Sequence, residues 1–229
     1  IVFGPLLPIG EETAVPLSAF VFSSLTCAAV FAVGRMRGST AEVLVLAGVA
    51  MLFLFQALLS LLQFVATPEA LSQIVFWLFG SLAKATWGKL AIVAALVAAT
   101  APVLAFDAWR LTALKLGDER ARALGVDVDA LRLRCLVVVS ILTAAAVAFV
   151  GTIGFVGIVA PHVARMTIGE DQRFFLPGAA AFGAALLSLA SIASKTVVPG
   201  ALFPIGIVTA LIGVPFFLAL VMRSRRTFW

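Results

Sequence analysis

The chain reads as long apolar windows separated by short polar stretches. Windows free of Asp, Glu, Lys and Arg run over 13–34, 43–68, 90–106, 135–164, 174–194 and 196–222. A helix needs roughly 20 mostly apolar residues to cross a bilayer, so these windows are candidate spans. None alternates polar and apolar positions with period two, which argues against an outer-membrane barrel. The pattern predicts an all-α, polytopic transmembrane helical bundle.

One window is too long. Residues 135–164 would make a helix of about 45 Å, and they carry GTIGFVG (Gly151, Gly154, Gly157) followed by Pro161. Glycines and proline disfavour a continuous helix. The expectation is a span ending near Val150 and a short second helix from about Gly157 to Met166. The stretch 68–88, PEALSQIVFWLFGSLAKATWG, is short and polar-flanked, with Trp77 and Trp87 suited to an interface. It reads as an amphipathic external helix.

Charge supports the split. With it, thirteen Lys and Arg fall on one side (Arg35, Arg37, the 110–134 group, Arg165, Arg173 and Arg223–Arg226) and only Lys84, Lys89 and Lys195 on the other. Without it the bias nearly vanishes. Basic residues collect on the cytoplasmic side, so the short helix is expected to cross. Residues 107–134 and the C-terminus are then expected in the cytoplasm. This predicts about seven crossings plus a fragment at 1–9. The chain opens at Ile1 inside an apolar run with no basic n-region, so it reads as the interior of a longer protein and not as a signal peptide.

Composition agrees: 63% of 229 residues are apolar and 12% charged, with a net charge of +5. A soluble domain is nearer half apolar and a quarter charged. The basic balance is accounted for by orientation and carries no nucleic-acid reading. Cys27 and Cys135 sit in or beside apolar runs and read as small core residues.

Much chemistry is missing. No G-x-x-x-x-G-K-[ST] phosphate loop occurs, so ATP is not bound by that route. His162 is the sole histidine, and a metal site needs several ligands. All eleven acids lie outside the apolar windows, whereas proton-coupled carriers commonly keep a carboxylate inside the membrane. No catalytic or metal-binding residues are assigned.

Three features remain. Gln56, Ser60 and Gln63 fall at i, i+4, i+7 on one helix face. They serve either interhelical hydrogen bonding or the wall of a polar path. Ala180, Ala184 and Ser188, with Gly178 and Gly183 nearby, form a small-residue stripe that suits helix packing. Finally, LTALKLGDERARALGVDVDALRLR places Gly117 and Gly125 around DERARAL, with acids first and arginines after, an order that suits the helix dipole. A short surface helix-turn-helix is expected. Leu116, Ala121, Leu124 and Val126 are apolar residues that a plain solvated loop does not need, so the segment reads as a docking element.

Together LKLGDERARALGV, GTIGFVGIVAPHVAR, FLPGAAAFGA and FPIGIVTALIGVPFFLALVMR, with LVLAGVAM near the start of the second full span, resemble the FecCD permease family. These are the membrane subunits of binding-protein-dependent ABC importers for iron-siderophores, haem and cobalamin. The resemblance runs from about Arg35 to the C-terminus. It implies the type II ABC importer permease fold, a single permease domain over 1–229 lacking some N-terminal helices, and a homodimer in the bacterial cytoplasmic membrane. It also implies two cytoplasmic ABC ATPase subunits, which hold the ATP and Mg, and a periplasmic or lipid-anchored substrate-binding protein. This chain itself binds no cofactor.

The family's coupling element corresponds to Leu116, Gly117, Asp118, Glu119, Ala121, Leu124 and Gly125. The path-lining helix matches 43–68, with Gln56, Ser60 and Gln63. The loop Gly38 to Glu42, with Thr40 and Glu42, lies where the cytoplasmic gate is expected. Lys195 stands where relatives often carry an Arg that meets acids of the binding protein. Lysine keeps the charge without the bidentate fork. A secondary transporter or channel without an ATPase partner is the alternative reading.

Overall fold

The computed structural model describes residues 11–37, 40–196 and 203–223, and every described element is helical. The 1–9 fragment and Gly38 of the gate loop lie outside the described residues. The helices are α1 (Glu11–Arg37), α2 (Ala41–Val65), α3 (Pro68–Leu78), α4 (Trp87–Leu114), α5 (Asp118–Ala123), α6 (Val128–Val150), α7 (Val156–Ile168), α8 (Gln172–Thr196) and α9 (Ile205–Arg223). They divide into two compact units, one of residues 1–78 and 85–149, the other of 79–84 and 150–229.

In the first unit α1 and α2 pack along each other, with Phe22 and Phe55 edge to face at 6.4 Å. Four helices of this unit, α2, α3, α4 and α6, start where a short polar side chain takes an orphan amide. Thr40 Oγ1 accepts from Val43 N–H at 3.3 Å, Thr67 Oγ1 from Ala70 N–H at 3.3 Å, and Thr86 Oγ1 from Lys89 N–H at 3.4 Å. Asp127 Oδ1 does the same for Ala130 N–H at 3.0 Å, opening α6. Pro68 stands first in α3, where a missing N–H costs nothing. The thiol of Cys27 donates to the carbonyl of Leu136 at 3.5 Å, tying α1 to α6.

Two expectations about α3 and α4 need correcting. The external helix expected over 68–88 stops at Leu78, and Trp87 is the first residue of α4. Gly80, at φ +67°, and a 3₁₀ turn at Leu82–Lys84 intervene. Likewise α4 extends well beyond the apolar window 90–106, because Asp107 and Arg110, one turn apart, pair within the helix. A charge ends a hydrophobic window without ending a helix.

In the second unit α7 packs along α8, and both touch α9. The break after Val150 falls in the glycine run and not at Pro161, which lies inside α7. Gly151 takes φ +75° and Phe155 takes φ +66°, rare for a residue with a side chain. A Cβ added at Gly213 of α9 would come within 2.4 Å of Phe155 Cβ, so the glycine makes room for the phenylalanine. The small-residue stripe is also corrected. Ala180, Ala184 and Ser188 are exposed, while Gly183 faces Ala160 and Val156 of α7 and Gly178 faces Ile168.

Three non-helical pieces meet in this unit. Ser81 N–H donates to Val150 O at 2.8 Å, and Gly206 N–H donates to Phe79 O at 3.1 Å. Phe203 N–H donates to Ser194 O at 3.2 Å, and the Ser194 hydroxyl returns a bond to Phe203 O. Backbone pairs with backbone wherever a helix is interrupted, which is what apolar surroundings demand. Ala190, Ile205 and Val208 form the local core.

Among the described residues five helices are long and apolar enough to cross a membrane: Ala14–Arg37, Glu42–Val65, Trp87–Leu114, Val128–Val150 and Gln172–Thr196. The chain is a multi-pass membrane protein. The expectation of about seven crossings counted one short helix; α7 and the Ile205–Ala219 part of α9 are both shorter apolar helices. At 13 residues α7 covers about 20 Å. The 196–222 window is likewise no single helix: Phe203 and Pro204 are not helical and α9 begins at Ile205.

Candidate functional site

The segment expected to dock a partner is a folded corner. After Leu114 the chain leaves α4 through Lys115, Leu116 and Gly117, whose amides donate to the carbonyls of Thr112, Ala113 and Leu114. Gly117 takes φ +97° with open space around it, so backbone conformation and not crowding calls for glycine. α5 then carries Asp118 and Glu119 in its first turn and Arg120 and Arg122 in its last.

A Schellman turn closes α5. Val126 N–H donates to Ala121 O at 3.0 Å and Gly125 N–H to Arg122 O at 2.9 Å, with Gly125 at φ +81°. The motif brings Val126 against Ala121. Both are buried in a cluster with Ala113, Val128 and Leu131, flanked by Leu111, Leu114 and Cys135. The sequence expectation that all four apolar residues seek a partner is therefore corrected. Ala121 and Val126 are covered by the segment itself, whereas Leu116 and Leu124 remain 53% and 52% exposed.

Ion pairs brace the corner. Arg132 grips both oxygens of Asp118 at 2.9 Å. Asp107, fully buried, accepts from Arg110 at 2.6 Å and from Arg134 at 2.9 Å to each oxygen. Arg122 and Asp129 approach to 3.5 Å but both are exposed, where a pair contributes little. Asp107, Arg132 and Arg134 were not picked out from the sequence. The i, i+3 spacing of Asp107 and Arg110 is the one local signal that could have pointed to them.

Of the seven expected coupling residues, Leu116, Gly117, Glu119, Leu124 and Gly125 share the exposed surface of this corner. Asp118 is half-buried in its pair with Arg132, and Ala121 is internal. Leu116, Glu119, Arg120 and Leu124 are all exposed on this corner. Burying each leucine would contribute about 1.5–3 kcal/mol.

The other expected residues lie elsewhere. On α2, Gln56 and Ser60 are exposed and Gln63 is half-buried; the Ser60 hydroxyl donates to Gln56 O at 3.0 Å, within its own helix. Thr40 caps α2, and Glu42 stands exposed in its first turn, near the positive helix end. Lys195 is exposed in the last turn of α8. The ring of His162 packs edge to face on Phe216 at 6.2 Å, a core contact. No group of three or more His, Cys, Asp or Glu among the described residues could hold a metal.

The FecCD transport family profile matches residues 1–223. The chain belongs to the FecCD transport family. It is 40% identical over 209 residues to the hemin transport system permease protein HmuU of Yersinia pestis, covering 91% of this chain and 63% of that protein. To the vitamin B12 import system permease protein BtuC of Vibrio vulnificus it is 36% identical over 226 residues, covering 96% of this chain and 66% of that one. A chain from the solved structure of a metal-chelate type ABC transporter in an inward-facing conformation superposes with a TM-score of 0.86 at 35% identity, covering 93% of this chain and 68% of that one. The architecture of this FecCD chain is thus that of an ABC transporter permease. It spans about two thirds of the length of the curated relatives it matches.

Proposed function

We propose that this FecCD chain forms part of the permease of an ATP-driven, binding-protein-dependent importer in the cytoplasmic membrane, carrying a haem, corrinoid or iron-chelate cargo. The supporting observation is the folded corner at 107–134. Its interior is satisfied by its own residues, yet it leaves Leu116, Glu119 and Leu124 outward at the positions the family uses for coupling.

Two ATPase subunits hold ATP and Mg and grip this corner. Their closure on ATP pulls the corner and tilts the helices attached to it. Because ATP-closed partners bind one permease conformation better than the other, the equilibrium between outward and inward access shifts. A second copy of the permease completes the path, with Gln56, Ser60 and Gln63 on its wall and Thr40 and Glu42 near its inner gate. Lys195 meets acids of the external binding protein. The chain makes and breaks no covalent bond.

The test is Leu124→Asp in the full-length permease co-expressed with its ATPase. A carboxylate at the centre of an apolar contact abolishes co-purification of the ATPase and ATP-dependent uptake, while the permease still accumulates in the membrane. Normal uptake by this variant would remove the docking assignment.

A further inference from the structure

Arg132 and Arg134 lie two residues apart on α6, about 200° around the helix axis. They therefore leave in opposite directions. Arg132 reaches Asp118 on α5, with two bonds at 2.9 Å, and Arg134 reaches Asp107 on α4, with its Nη1 at 2.9 Å from each oxygen. Asp107 is 1% exposed and also holds Arg110 of its own helix.

The same corner contains an apolar cluster, from Ala113 and Leu114 to Leu131 and Cys135. Apolar contact is non-directional, so it holds helices together without specifying one distance and angle between them. Charge-assisted hydrogen bonds fix distance and angle. A buried ion pair is also weak as a source of stability, since apolar substitutes often serve as well. What it adds here is geometry. The Asp107–Arg134 pair joins residues 27 positions apart and ties the base of α4 to the base of α6, while Asp118 ties α5 to α6 through Arg132.

We propose that Asp107, through Arg134, is a positioning residue for force transmission: it makes α4 and α6 move as one body when the 116–125 corner is pulled. The inference rests on the docking reading above. Without the clamp the corner still binds its ATPase, but its displacement is lost in sliding between the two helices.

The experiment uses the full-length permease with its ATPase and binding protein in proteoliposomes, offered hemin, cobalamin and an iron(III)-hydroxamate as cargo. Two variants, Asp107→Asn and Arg134→Gln, are expected to retain the ATPase at the wild-type ratio and to keep hydrolysing ATP. Cargo moved per ATP is expected to fall about fivefold or more, the size of a typical coupling between sites. Asp107→Glu, which keeps the charge, is expected to recover most of it.

A purely structural role would lower protein yield and leave cargo per ATP unchanged in what survives, and that result overturns the proposal. So does failure of both variants to accumulate in the membrane. A wild-type permease that does not retain the ATPase, or moves none of the three cargoes, overturns the docking reading and this inference with it. Against a working wild type, unchanged cargo per ATP or failure of both variants to accumulate overturns this inference alone.

Discussion

The corner at 107–134 and the interrupted helices of the second unit solve the same problem by different means. Both must hold non-helical backbone in a fixed shape. The corner adds side chains to a main-chain Schellman turn: a small apolar cluster and two arginine–carboxylate clamps. The interrupted helices do so with main chain, Ser81 to Val150 and Gly206 to Phe79, where a Cβ on Gly80 or Gly206 would collide with backbone. A segment facing water can use charge and still present a working surface. One surrounded by apolar groups pairs chiefly its own amides and carbonyls, with the Ser194 hydroxyl adding one bond to Phe203 O.

The sharpest way to break this contrast is Gly206→Val. A Cβ there would stand 2.5 Å from Phe79 O, a backbone atom that cannot swing away. Overpacking of this kind costs about 1–3 kcal/mol at least, and thermal unfolding in detergent should show a marked fall in Tm. Gly80→Ala should follow closely. It meets Thr152 O at 2.8 Å and must also hold φ +67°, which alone costs about 1–2 kcal/mol.

The same change at the corner should be milder. Gly117→Ala has open space and suffers only its backbone conformation, φ +97° and ψ 157°, so a loss of about 1–3 kcal/mol without any collision is expected; a Tm drop equal to that of Gly206→Val would erase the distinction. Replacing both Gln56 and Gln63 by Leu should leave Tm and ATPase association unchanged while slowing uptake, and unaltered uptake would leave them without a path role. The smallest effect belongs to Arg122→Ala, which removes only an exposed pair with Asp129. It should change stability by less than about 0.5 kcal/mol.

The corner shows how far local reading reaches. Gly117 and Gly125 as turning points, and acids before arginines on α5, were legible because caps and dipoles involve residues within a few positions. Which leucines face outward was not. Leu124 and Val126 are equally apolar, and only the Schellman turn decides that Val126 folds under Ala121 while Leu124 stays exposed. The small-residue stripe failed for a similar reason: its spacing describes a helix face but not the neighbour, and Gly183 rather than Ala184 meets α7.

By itself the amino-acid sequence determined that most of this protein lives in lipid, where its helices run, and that α6 must end near Val150. Transfer free energy and backbone hydrogen bonding act on neighbours along the chain, so they leave their mark there. Only the tertiary structure decided that Asp107 answers to Arg134, that Gly206 gives way to Phe79, and that three helix breaks share one set of hydrogen bonds. Those pairings join residues distant in sequence, and no local periodicity records a partner that folding alone brings near.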